Sequence, residues 1–215
     1  MKLPAGLVLV FLLCGALTAR AQSGGLLIRV GAMQPTANLS DSNLTKGSFR
    51  VNIGYGKVFA GGHAGLDVTG FADVMKYNFY FDHFDKRFKG TTLYSGIAIT
   101  PNYCINPGGE IRVSIALSIK TGYNWGYGNV YGYSERHDNY SDKLESKSLS
   151  ASYSFAYSPM VTFAIPGNFG SVGLELGYDS TNYGTGINRL RSNYYAPLKY
   201  NSGYLFAGVF FRLHH

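Results

Sequence analysis

Residues 110–123 read EIRVSIALSIKTGY. Ile111, Val113, Ile115, Leu117, Ile119 and Tyr123 fall on one parity, and Glu110, Arg112, Ser114, Ala116, Ser118 and Lys120 on the other. A helix of this composition would mix the two sets around its circumference, whereas a pleated strand sends them to opposite faces. The run is therefore a β-strand, and it exceeds the five or so residues of an ordinary strand by roughly a factor of two.

Working outward, the same alternation recurs. Over residues 171–179, Val172, Leu174, Leu176 and Tyr178 oppose Ser171, Gly173, Glu175, Gly177 and Asp179. From residue 149, Leu149, Ala151, Tyr153, Phe155 and Tyr157 alternate with Ser150, Ser152, Ser154, Ala156 and Ser158. Over 204–213, Leu205, Ala207, Val209, Phe211 and Leu213 oppose Tyr204, Phe206, Gly208, Phe210 and Arg212. Segments 26–33, 49–59 and 93–103 read similarly. Segment 66–82 is strand-like but loses phase between Phe71 and Tyr77, which suggests a bulge. These make eight strands. Connections 60–65, 104–109 and 165–170 are short and rich in Gly and Pro, as tight turns are. Connections 35–48, 83–90, 124–148 and 182–201 are polar or aromatic, and three of them are long. Short and long alternate along the chain, the arrangement of a membrane barrel with short periplasmic turns and longer external loops.

The N-terminus carries an export signal. Lys2 supplies a positive start, residues 7–17 an apolar run, and Ala19-Arg20-Ala21 a small-x-small cleavage site. Residues 1–21 are thus expected to be a signal peptide and 22–215 the folded domain. The apolar run is too short to span a bilayer as a helix, and no other stretch approaches the length that would. Leu13 precedes Cys14 where a lipidation signal needs a small residue. With the leader removed, Cys104 is the sole cysteine, so no disulfide framework holds the domain.

The 215 residues fit one domain. Charged residues make up only 14%, while Gly (28), Tyr (18) and Phe (14) abound, which excludes a disordered chain. The formal charge is +7, and losing Lys2 and Arg20 with the leader leaves about +5. The densest basic spots are Lys86-Arg87-Phe88-Lys89 and Arg189-Leu190-Arg191, too sparse for the phosphate-tracking stripe of a nucleic-acid binder.

Alternation alone leaves open which face points inward. Small residues and mixed charges suit the narrow interior of eight strands, which side chains nearly fill. The expected interior ion-pair network comprises Arg29, Arg50, Glu110, Arg112, Lys120, Glu175, Asp179 and Arg212. The apolar face is also long enough for the 9–11 residues of a tilted membrane strand. Tyr55, Tyr103, Tyr123, Tyr157 and Tyr178 end their apolar runs, where an interfacial girdle would lie. The expectation is an all-β, eight-stranded, antiparallel up-and-down transmembrane barrel, plugged by its own charges.

Leader, eight amphipathic strands, alternating connections and a final apolar strand together resemble the small outer-membrane barrels of Gram-negative bacteria. The familiar members are OmpA- and OmpX-like. The Gly/Tyr-rich style is also similar to the outer-membrane β-barrel domains common in Bacteroidetes. The resemblance covers the whole mature chain and rests on pattern. It implies an integral protein of the bacterial outer membrane, multi-pass and monomeric, with outer-membrane lipids and the assembly machinery as partners. In that family the last strand usually finishes on an aromatic residue. Here the chain closes with His214-His215.

Three functions follow from such a barrel: a non-enzymatic role in the envelope or in surface interaction, lipid modification, or, with the apolar face inward, a soluble carrier of an apolar ligand. For the second, His137-Asp138 near Ser134 and Glu135 is the least implausible catalytic group, but it falls in a polar loop. Asp82-His83-Phe84-Asp85 matches no metal-site spacing, and Gly54-Tyr55-Gly56 lies within a strand. No cofactor is expected. Trp125, Tyr127, Tyr131 and Tyr133, set among Gly and Asn, form either a recognition surface or the outward continuation of two strands as a hairpin. The first function is the one expected, with the loops meeting a surface ligand whose identity the sequence does not give.

Overall fold

The computed structural model describes residues 21–36, 48–81, 86–137, 139–182 and 203–213. The leader residues 1–20, most of connections 35–48 and 182–201, His83, Asp138 and His214-His215 lie outside these. Eight strands are present: β1 (Ala21–Pro35), β2 (Phe49–Phe59), β3 (Ala64–Phe81), β4 (Lys86–Cys104), β5 (Arg112–Ser134), β6 (Asn139–Gly167), β7 (Gly170–Asp179) and β8 (Tyr204–Leu213). Each pairs antiparallel with the next. β1 closes on β8 through pairs such as Val30 with Val209, giving a barrel without a free edge.

The face assignment follows the pleat. On β5, Ile115, Leu117 and Ile119 point outward, with Ile115 52% exposed, while Ser118 and Lys120 are fully buried. On β7, Val172, Leu174 and Leu176 are exposed, and Glu175 and Asp179 are sealed inside. β8 repeats the pattern with Leu205, Val209 and Phe211 outside. Tyr55, Tyr103, Tyr123 and Tyr157 are exposed near the ends of these stripes. An apolar band covering the circumference far exceeds the patches that soluble proteins tolerate, so it requires lipid. The alternative of a soluble carrier, which needs this band inside, is contradicted.

Two expectations are corrected. β3 carries no bulge: its register runs unbroken with β2 from Ala64 to Val74 and with β4 from Ala64 to Phe81. Phase is lost in the sequence because Phe71 and Met75, on the same face as Asp67 and Asp73, are buried apolar side chains of the lumen. The interior is accordingly not only small and charged. Met33, Phe71, Met75, Phe88, Tyr94, Val130, Tyr204 and Phe206 belong to one packed cluster inside the barrel.

The second correction concerns length. Segments 83–90 and 124–148 continue as strand for most of their course, so β3–β4 and β5–β6 are long hairpins. β5 with 23 residues and β6 with 29 are at least twice what a membrane crossing needs. They rise beyond the shorter β7 and β8 at the end opposite the short turns. Of the two readings of the aromatic segment, the hairpin is the one present, with register shifts at Asn124/Gly126, Val130/Tyr131 and Gly132/Ser134.

Candidate functional site: a charged lumen beneath an aromatic hairpin

Two ionic groups are stacked inside the barrel. In the lower one, nearer the short turns, Asp67 of β3 accepts from Arg29 of β1 (2.6 Å) and Arg212 of β8 (2.6 Å). Arg29 Nε also lies 3.6 Å from Glu175 of β7. In the upper group, Lys120 of β5 donates to Asp73 of β3 and, at 2.8 Å, to Asp179 of β7. Arg50 of β2 stands 3.8 Å from Asp179 and stacks on Phe206 at 3.9 Å from the ring centroid. Lys120 also faces the rings of Phe71 (4.5 Å) and Tyr94 (5.2 Å). Asp179 is further held by Ser158 (2.8 Å) and by the hydroxyl of Thr181. Each group holds two cations and two carboxylates and is formally neutral, which is what lets charge persist where Arg50, Lys120, Asp67, Asp73, Glu175 and Asp179 are fully buried.

Of the residues singled out in the sequence, Arg29, Glu175 and Arg212 lie in the lower group and Arg50, Lys120 and Asp179 in the upper. Glu110 is in neither. It lies exposed in the turn before β5, because the pleat that would aim it inward starts only at Arg112. Arg112 does point toward the lumen end, half-buried, and pairs with no carboxylate among the described residues. The partners that the sequence reading missed are Asp67 and Asp73. Both sit on the odd-numbered face of β3 that Phe71 and Met75 disguise as apolar, and following parity alone through 67, 69, 71, 73 and 75 would have found them.

Above the upper group, the β5–β6 hairpin displays Trp125, Tyr127 and Tyr133 outward. Tyr131 is half-buried beneath Lys89 Nζ, 4.9 Å from its centroid. Asn129 ties the row together, donating to the Tyr127 hydroxyl (2.8 Å) and accepting from Ser146 (2.8 Å). Tyr133 meets Tyr140 edge-on at 5.5 Å, and Tyr123 meets Tyr153 at 6.0 Å. Rings braced in this way offer rigid contact area at low entropic cost. His137 occupies the exposed tip, its Nδ1 3.4 Å from Ser134 Oγ and 3.5 Å from Ser141 Oγ. Both distances are at the outer limit of a hydrogen bond, on a turn open to water. Among the described residues no group of His, Cys, Asp and Glu is placed to hold a metal.

A closed eight-stranded antiparallel wall, oily outside and ionic within, settles the architecture. This is the fold of the small outer-membrane barrels. No family model matches the sequence, and no curated protein does. Solved structures of such barrels are similar to it. Ail, the attachment invasion locus protein of Yersinia pestis, aligns over 90% of this chain and 98% of its own at 14% identity and a TM-score of 0.43. The same protein bound to the heparin analogue sucrose octasulfate gives a TM-score of 0.47 at 14% identity and the same coverage. Neisserial surface protein A aligns over 88% of this chain and 96% of its own, at 11% identity and a TM-score of 0.46.

Proposed function

We propose that this outer-membrane barrel is a non-enzymatic, monomeric protein of the bacterial outer membrane that meets ligands outside the cell through its long hairpins, with no open pore. The carrying observation is the contrast between the two ends of the molecule. The lumen holds two neutral ionic groups and an apolar cluster across its middle, whereas the braced aromatic row of β5–β6 faces outward beyond the membrane band. Function then resides in the hairpins and anchorage in the wall. Export by a signal peptide cut after Ala21 and insertion by the assembly machinery complete this reading.

Membrane fractionation with and without boiling before electrophoresis tests the placement. The protein should require detergent for extraction, and its folded form should migrate differently from the boiled one. Mass spectrometry of the mature chain should begin at Gln22. Recovery in the aqueous fraction without detergent overturns the reading. The lipid-modifying alternative has its own observation in the Ser134–His137 contact. A mass change in lipid A on expression, lost in His137→Ala, would favour it instead.

A further inference from the structure

At the short-turn end the lumen widens into a cavity of about 490 Å³, between the wall and the turns carrying Gly62 and Pro107. That size suits a small ligand. Among its lining residues are three arginines, Arg29, Arg112 and Arg212, against one carboxylate, Asp67. Asp67 is already shared between Arg29 and Arg212, and Glu175 lies against Arg29. The lower ionic group is therefore neutral before Arg112 is counted, and Arg112 is its surplus cation. A second observation points the same way. Arg112 and Arg212 each keep a buried Nε–H with no hydrogen-bond acceptor, whereas Arg29 Nε has the Glu175 carboxylate 3.6 Å away. Arg112 lines the cavity with no carboxylate paired to it among the described residues, and an anion there would give its guanidinium the charged acceptor it lacks.

We propose that this cavity binds a phosphate-class oxyanion, with Arg112 as the anchoring cation. Guanidinium forks match phosphate oxygens in pairs. Ser114, Thr162 and Ser171, which also line the cavity, offer hydroxyl donors to the remaining oxygens. Arg29 and Arg212 already share Asp67, whose carboxylate would repel an anion at that bridge, which leaves Arg112 as the anchor. Two sources share this chemistry: a soluble phosphate ester, or the headgroup of a phospholipid in the adjoining leaflet.

The test uses the mature chain refolded in dodecyl maltoside, with arginine Nε–Hε resonances followed by NMR. Inorganic phosphate and glycerol 3-phosphate are added at constant ionic strength, with chloride as the balancing ion. The Arg112 resonance should move saturably. Half-saturation, read in the variants from the Arg29 and Arg212 resonances of the same cavity, should rise tenfold or more in Arg112→Gln and less in Arg112→Lys, with heat-dependent gel mobility confirming that each variant folds. If Arg112→Gln fails to fold, the parent titrated with phosphate against chloride decides alone. Saturation by the soluble esters identifies a solute. A shift seen only in nanodiscs containing phosphatidylglycerol, against nanodiscs of a phosphate-free glycolipid, identifies a headgroup. No saturable shift in either setting, equal response to chloride, or unchanged half-saturation in a folded Arg112→Gln overturns the proposal. Binding in detergent is independent of where the barrel resides, so this outcome is separable from that of the fractionation.

Discussion

At the scale of single residues, charge inside the barrel is tolerated only as complete groups. Lys120 is fully buried and bridges Asp73 and Asp179, with Arg50 supplying the second cation of the group. Lys120→Met leaves the buried carboxylates of Asp73 and Asp179 short of one of the two cations in their group, and removing one partner of a buried pair costs about 3–5 kcal/mol. The temperature at which the heat-shifted band disappears should fall clearly below that of the parent. Glu175→Ala leaves Arg29 with Asp67 alone, and should lower the same temperature by a smaller margin. Glu110, exposed in its turn, provides the contrast: Glu110→Ala should leave the transition in place. Equal transitions for all three variants would show that the ionic groups do not stabilise the folded barrel.

At the scale of elements, the strands serve two solvents along one length. In the membrane band, the outward face of β5 must match acyl chains. Leu117→Arg places a charge among them, and near the midplane this costs about 2–4 kcal/mol. Yield of heat-modifiable barrel on refolding should drop, whereas Tyr133→Arg, out on the hairpin, should not change it. Gly96 and Gly122 face each other across β4 and β5, and a Cβ on Gly122 would run into the backbone at Ser95 and Gly96. A side chain there cannot be absorbed by a rotamer change. Gly122→Val should therefore abolish the heat-shifted form rather than merely weaken it, as refolding in detergent would reveal.

Considered whole, the molecule is a sealed wall supporting a projecting sheet. The Phe71–Met75–Phe206 cluster packs among the ionic groups inside the barrel, and the proposed absence of an open pore rests on that packing. Purified protein in planar bilayers should give no steps of conductance above the bare membrane. Replacing residues 129–146 by an Asn-Gly turn, between the paired Gly128 and Lys147, should leave the barrel heat-modifiable. Cell-surface binding by the intact protein should be lost in that variant. A truncated form that no longer folds would show that hairpin and wall are one cooperative unit.

The sequence by itself determined the wall. Alternation in segments 110–123, 171–179 and 204–213 fixes which side chains share a face, because the pleat admits no other period. The scarcity of long charged residues opposite the oily stripe tells which face is inside. The same parity puts Arg29, Arg50, Lys120, Glu175, Asp179 and Arg212 on the inward face of their strands. Where reading failed, the lumen itself was the cause. Phe71 and Met75 are apolar yet point inward, so β3 seemed to lose step and Asp67 and Asp73 passed unnoticed. Only the tertiary structure decided which charges meet, because pairing across the lumen joins strands distant in sequence: Arg29 with Asp67, Lys120 with Asp179. It also decided that Arg112 is left over, since neutrality belongs to the closed barrel and not to any strand within it.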